Sequence, residues 1–148
     1  MLRVVILRLV ALFVVLSPTS FASEEAIKEI DGLIAKNNLK GAQAKIDEQM
    51  KEMPDSALLM VRKSRIISLT GDASTDNELK VKKFEEAKEL AKKITEKHPE
   101  VAGGYLRVAV AAGKLALYKG ILQSRSLILE GKSMASKVLE LKSKTPYE

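Results

Sequence analysis

Residues 84–99 read FEEAKELAKKITEKHP and carry the clearest structural signal in the chain. Apolar side chains recur there at every third or fourth position, which places them on one face of an α-helix. These residues are Phe84, Ala87, Leu90, Ala91 and Ile94. Lysines and glutamates of mixed charge cover the opposite face, and Pro99 ends the helix. The stretch therefore predicts an amphipathic helix over about residues 78–98.

The same spacing predicts five further helices, three upstream and two downstream. They cover about residues 26–34, 42–53, 57–69, 100–118 and 122–142. The first two are separated by Asn37-Asn38 and read as a helical hairpin, while the third is expected to stop at a turn containing Gly71. Residues 100–118 are apolar nearly all round, so this fifth helix is expected to be the central, buried one.

Three prolines reveal a repeat. Pro99 follows Pro54 by 45 residues and precedes Pro146 by 47. Reading back from each proline gives a small or apolar residue twelve positions earlier, and apolar ones about eight and five positions earlier, with Gln49 as a departure. Aligning the segments after the first two prolines pairs Ala57 with Ala102, Val61 with Leu106 and Arg62 with Arg107. This pattern resembles degenerate tetratricopeptide repeats and predicts an all-α fold of three antiparallel helical hairpins, stacked as a short tetratricopeptide-like α-solenoid.

Composition limits the chemistry that the protein can perform. The 148 residues are 46% hydrophobic and 30% charged, which suits one globular domain, and they include one His and no Cys or Trp. Without Cys there is no disulfide, thiolate metal site, thiol nucleophile or lipid-modified cysteine. His98 is expected to interact with the last carbonyls of its helix, and Asp72, Asp76 and Glu78 to form a polar turn rather than a calcium loop. We therefore expect no enzyme activity, no cofactor and no metal.

The N-terminal residues have the composition of an export signal. Arg3 and Arg8 precede an apolar run over residues 9–16, Pro18 follows, and small residues lead to a cleavage site after Ala22. Residues 1–22 are thus predicted to be a cleaved signal peptide, with residues 23–148 as a periplasmic or secreted repeat domain. The alternative is a retained segment that tethers the protein to a membrane. Cleavage removes two of the 25 basic residues and none of the 19 acidic ones, which leaves a charge of +4.

The positive charge is concentrated in the last third of the chain. Residues 101–148 contain 8 Lys or Arg and 3 Asp or Glu. Such an excess suits an acidic protein partner or anionic lipid headgroups, and its alternative interpretation is an ordinary solvated helix face. Nucleic acid is not an expected partner of an exported protein.

The segments 105–121 and 127–146 resemble the final repeats of the regulator of microtubule dynamics family. They are similar as well to the tetratricopeptide-like T component associated with tripartite ATP-independent periplasmic transporters. The resemblance rests on an aromatic and small-residue helix, YLRVAVAAGKL at 105–115, followed by a link containing Gly120 and a longer helix before Pro146. It implies a helical repeat architecture and an accessory role beside a transport system.

A stack of helical hairpins leaves the first helix of each hairpin lining a concave groove that suits an extended peptide or a partner helix. The predicted groove residues are Val61, Arg65, Leu106, Val110 and Lys114, although burial in the core explains the apolar members equally well. Arg65 and Lys114 are suited to holding an acidic side chain or a terminal carboxylate. The predicted function is non-enzymatic protein–protein interaction or scaffolding, with a homo-oligomer allowed because three repeats are near the minimum for a stable stack. The alternatives are a small-ligand-binding component of a transport system and a membrane-tethered scaffold.

Overall fold

The computed structural model describes residues 24–144, and in that range the chain forms six α-helices and no β-strand. The helices are α1 Glu24–Ala35, α2 Leu39–Glu52, α3 Ala57–Ala73, α4 Asn77–Lys97, α5 Ala102–Ala116 and α6 Ile121–Lys144. The all-α prediction is confirmed. None of these helices combines the length and the apolar character needed to cross a membrane. The predicted signal peptide and Pro146 lie outside the described residues.

Each helix packs against the next one along the chain, and α3 also packs against the two other odd-numbered helices. α3 contacts α1 and α5 in addition to α2 and α4, whereas the backbones of α2 and α4, like those of α4 and α6, do not meet within the described chain. The fifth helix is expected from the sequence to be the central one, and α5 is indeed packed between α4, α6 and α3. α3 shares this central position, since it contacts four helices and α5 contacts three.

The first turn has the structure that its two asparagines favour. Asn37 adopts a positive φ of 57°, a conformation that Asn tolerates better than most residues. The side chain of Asn38 accepts a hydrogen bond from the main-chain N–H of Gly41 at 3.0 Å and so caps α2. These two residues reverse the chain between α1 and α2, as the interrupted apolar pattern predicts.

Gly71 does not lie in a turn, contrary to the prediction. α3 continues four residues past Leu69 to Ala73, and Gly71 is buried in its last turn. A Cβ at this position would lie 2.8 Å from Cε1 of Phe84, so the glycine allows α4 to approach α3 closely. The turn lies further along, where Asp76 caps α4 by accepting hydrogen bonds from the main-chain N–H groups of Glu78 and Leu79.

The core consists of the apolar faces that the sequence pattern indicated. Phe84, Ala87, Ala91 and Ile94 are all buried on α4, and Phe84 is the largest fully buried side chain. Alanines and glycines occupy the helix crossings. A Cβ on Gly104 of α5, for example, would lie 2.8 Å from Cγ2 of Ile94. Small residues thus set the distance between neighbouring helices, and larger side chains fill the space around them.

Candidate functional site

A cleft of about 410 Å³ opens between α3 and α5, with α1 and α6 at its sides. We call it the α3–α5 cleft. Its apolar wall consists of Val61, Ala102, Gly103, Leu106 and Val138. Its polar residues are Asp31, Arg62, Arg65, Arg107 and Lys142. Four cationic side chains and a single carboxylate therefore surround an apolar floor.

Glycine shapes the floor of this cleft. A Cβ on Gly103 would lie 3.1 Å from Cγ2 of Val61, which is closer than a relaxed contact. The first turn of α5 can therefore lie directly against α3. This close approach brings Arg65 of α3 and Arg107 of α5 to the same opening.

Arg62 is already neutralised within the protein. Its Nε donates to Oδ1 of Asp31 at 3.0 Å and its Nη2 donates to Oδ2 at 2.6 Å, which forms a two-point ion pair between α3 and α1. Its Nη1 also donates to the main-chain carbonyl of Leu58 at 3.1 Å. The one carboxylate of the cleft is therefore engaged, and Arg62 acts as a structural link between two helices.

Arg65 and Arg107 differ from Arg62 because neither makes an ion pair or hydrogen bond with any part of the chain that the structure describes. Arg65 is exposed and Arg107 is half-buried. Burial lowers the pKa of the Arg107 guanidinium, and the positive charge of Arg65 lowers it further. An arginine keeps its charge at neutral pH even so. The two side chains consequently present uncompensated positive charge beside an apolar floor. An anion bound there would offset the cost of burying the Arg107 charge and the repulsion between the two arginines.

The structure brings three of the five predicted groove residues together around this cleft, namely Val61, Arg65 and Leu106. Val110 is half-buried outside its lining. Lys114 lies at the other end of α5, where its Nζ donates to Asp72 and sits 5.3 Å from the centre of the Phe84 ring. The charge of Lys114 is thus neutralised by Asp72 near the end of α3, away from the α3–α5 cleft.

Sequence reasoning missed Arg107 and Lys142 as cleft residues. The repeat alignment did contain a signal for Arg107, because it pairs this residue with Arg62. The two arginines nevertheless have different surroundings, since Arg62 faces a carboxylate on α1 and Arg107 faces another arginine on α3. Lys142 enters the cleft only because α6 folds back across α5, which no local pattern indicates.

Three of the four candidate catalytic and metal-binding residues, His98, Asp72 and Asp76, have structural roles for their side chains. The ring Nε2 of His98 lies 2.9 Å from the main-chain carbonyl of Asp55, so the histidine joins the end of α4 to the α2–α3 link rather than to the last carbonyls of its own helix. Asp72 pairs with Lys114 and Asp76 caps α4. Within residues 24–144 no three His, Cys, Asp or Glu side chains are grouped so that they could hold a metal ion.

Comparisons with protein-family models, with curated proteins and with solved structures find no match for this chain. Its function is therefore inferred from the chemistry of the α3–α5 cleft and from the surface around it.

Proposed function

We propose that this protein is an exported, non-enzymatic repeat protein of the tetratricopeptide-like type that binds an acidic segment of another protein in the α3–α5 cleft. The observation that carries the proposal is the pair of unneutralised arginines, Arg65 and Arg107, beside the apolar floor. A peptide with a carboxylate next to an apolar side chain satisfies both parts of this surface. Guanidinium groups bind carboxylates by parallel hydrogen bonds, which also fixes the orientation of the peptide.

The order of helix packing supports the repeat architecture. Consecutive helices pair as α1 with α2, α3 with α4 and α5 with α6, and the first member of each pair contacts the first member of the next pair. Stacked hairpins of the tetratricopeptide type have this order, with the first helices lining the concave side. The α3–α5 cleft lies between two such first helices, where repeat proteins of this architecture bind extended peptides.

A peptide-binding assay tests the proposal. We would measure the fluorescence anisotropy of a labelled short peptide that alternates glutamate and leucine, with the glutamine–leucine version as the uncharged reference. The glutamate peptide should bind more tightly, and added salt should weaken it because the attraction is electrostatic. Arg65→Gln and Arg107→Gln should each weaken binding by about tenfold or more, since each removes charge-assisted hydrogen bonds.

Lys93→Gln is the matched control. Lys93 is exposed on α4, outside the α3–α5 cleft, so its replacement removes the same charge from a different surface. It should leave the peptide affinity within about twofold of the parent value. Equal binding of the glutamate and glutamine peptides, or arginine variants that bind as well as the Lys93 control, would contradict the assignment.

A small carboxylate ligand is the second candidate for the same cleft. Its volume of about 410 Å³ lies within the range of small-molecule sites, which is roughly 300–1,000 Å³. Native mass spectrometry of the purified protein separates the two candidates. A co-purified small acid that is present in the parent protein and lost in Arg107→Gln, together with no binding of the glutamate peptide, would favour the ligand carrier.

A further inference from the structure

α6 is apolar on two opposite sides. Its inner side packs on α5 and buries Leu127 and Val138, while Gly131 brings the α6 backbone close to α5. Its other side exposes five large apolar side chains to solvent. These are Ile121, Leu122, Ile128, Leu129 and Leu139, with exposed fractions between 58% and 89%.

We call the exposed surface the outer stripe and define it as those five residues together with Arg125 and Lys132. At 3.6 residues per turn its members fall within an arc of about 120° of the helix circumference, so they lie along one side of α6. From Ile121 to Leu139 the stripe is about 27 Å long at the rise of an α-helix. It continues into the α5–α6 link, where Leu117 is 78% exposed and Tyr118 is exposed beside it. The last helix of a repeat stack ordinarily has a polar outer face, and this helix does not.

The charges on the outer stripe are all positive. In the described chain neither Arg125 nor Lys132 has an ion pair or a side-chain hydrogen bond. The nearest acidic residue of α6, Glu130, points towards α4 and binds Lys88 and Lys92 there, at 3.0 Å in both cases. The outer stripe thus combines a large apolar area with two positive charges that the fold does not neutralise.

We propose that the outer stripe and the α5–α6 link bind the surface of a membrane that contains anionic lipids. Ile121, Leu122 and Leu117 insert among the lipid headgroups and the upper acyl chains, because apolar side chains this exposed gain most from leaving water. Arg125 and Lys132 lie along this surface and reach lipid phosphates with their charged ends, while their aliphatic stems stay in the apolar layer.

Charge complementarity favours a lipid surface over a second copy of the chain. If two outer stripes packed against each other, four positive charges would come together, and no carboxylate belongs to either stripe. The phosphates of anionic lipids supply the missing negative charge. The position of the most exposed residues points the same way, because Leu117, Ile121 and Leu122 cluster at one end of α6 and in the adjoining link.

Vesicle co-sedimentation of residues 23–148, the chain that remains after the predicted signal peptide is removed, tests the proposal. The probes are vesicles of phosphatidylcholine alone and vesicles of phosphatidylcholine mixed with phosphatidylglycerol. The protein should sediment with the mixed vesicles and stay in solution with the neutral ones. Each basic residue at an anionic surface contributes about fivefold in partitioning, so Arg125→Gln combined with Lys132→Gln should reduce binding by roughly 30-fold. Ile121→Ser combined with Leu122→Ser should reduce it at least tenfold.

The matched control replaces Leu58 and Leu79 by serine. Each is 41% exposed and lies on another helix, so this variant also loses two exposed aliphatic side chains but leaves the outer stripe unchanged. It should bind the mixed vesicles as the parent does, as should Arg65→Gln, whose effect is confined to the α3–α5 cleft. Far-UV circular dichroism of every variant checks that the helices remain folded.

Four results would overturn the proposal. The first is equal sedimentation with neutral and anionic vesicles. The second is binding that the two outer-stripe variants leave unchanged. The third is a parent protein that ignores vesicles but forms a dimer by sedimentation velocity, with the outer-stripe variants monomeric, which would assign the surface to a second copy. An acidic amphipathic peptide that binds the outer stripe in the absence of any vesicle binding would assign it to a protein partner and would equally reject the lipid surface.

Discussion

Replacing Gly104 with alanine adds one methyl group where α5 crosses α4. The new Cβ would lie 2.8 Å from Cγ2 and 3.2 Å from Cβ of Ile94, and 3.2 Å from Cγ2 of Thr95. Ile94 is fully buried and its Cβ is fixed to the helix backbone, so it cannot rotate away. The two helices must therefore separate locally or Ile94 must leave its preferred rotamer.

The expected loss of stability follows from two opposing effects. An added methyl group in a closely packed core costs about 1–3 kcal/mol, whereas alanine in place of glycine in a helix gains about 0.5–1 kcal/mol. Gly104→Ala should therefore be destabilised by roughly 1–2 kcal/mol. Gly113 lies on the same helix with nothing within 4 Å of its would-be Cβ, so Gly113→Ala should gain about 0.5–1 kcal/mol.

The stability of both variants can be measured by thermal and urea unfolding, with circular dichroism at the helix band as the signal. A change of 1 kcal/mol shifts the Tm of a domain of this size by roughly 4 °C, so the two variants should lie on opposite sides of the parent protein. In an Ile94→Ala background the penalty of Gly104→Ala should largely disappear, because the clashing methyl group is gone. Stabilisation of Gly104→Ala and Gly113→Ala by the same amount would refute the close α4–α5 crossing.

Two further predictions concern polar side chains that are buried or half-buried. Ser68 has a buried Oγ without a hydrogen-bond partner in the described chain, so Ser68→Ala should raise the free energy of unfolding by up to about 1 kcal/mol. Ser64→Ala should lower the free energy of unfolding by a similar amount, because the Ser64 Oγ donates to a main-chain carbonyl of α4 at 2.9 Å. If urea denaturation showed that both substitutions change the free energy of unfolding in the same direction, the different hydrogen bonding of the two serines would be contradicted. Burial acts to raise the pKa of Glu130, but hydrogen bonds and positive charge from Lys88 and Lys92 outweigh it and hold the pKa below its ordinary value of 4.5. A carboxyl group whose pKa is lower in the folded state stabilises the protein when the pH is above its pKa in the unfolded state. This stabilisation is lost as the pH falls through the pKa in the folded state. Glu130→Gln should therefore cost about 1–2 kcal/mol of stability at neutral pH and progressively less in acid. A cost that stays constant from neutral to acidic pH in urea titrations would show that the ion pairs do not contribute.

The helices could be read from the sequence because each depends mainly on neighbours within one or two turns. The apolar face of α4 and the asparagine turn before α2 both appear where periodicity and capping chemistry place them. Gly71 could not be read in this way. A glycine near the end of an apolar stretch looks like a turn residue, and only the position of the Phe84 ring shows that it serves a close helix contact.

In the α3–α5 cleft, too, the sequence predicted only part of what the structure shows. Arg65 and Lys114 look alike in the sequence, as cations on the first helices of their hairpins. In the structure Lys114 meets Asp72, while Arg65 meets another arginine and remains without a carboxylate in the described chain. Whether a charge is neutralised depends on residues more than thirty positions away, and local pattern holds no information about such partners.

The sequence by itself determined that this chain is helical, where its helices begin and end to within a few residues, and which faces are apolar. These properties follow from side-chain periodicity, capping and proline, all of which act over a few residues. Only the tertiary structure decided which apolar surfaces remain uncovered and which charges remain unpaired. One side of α6 packs on α5 and the other faces solvent, although both are apolar, because each helix surface is covered only when another helix passes over it.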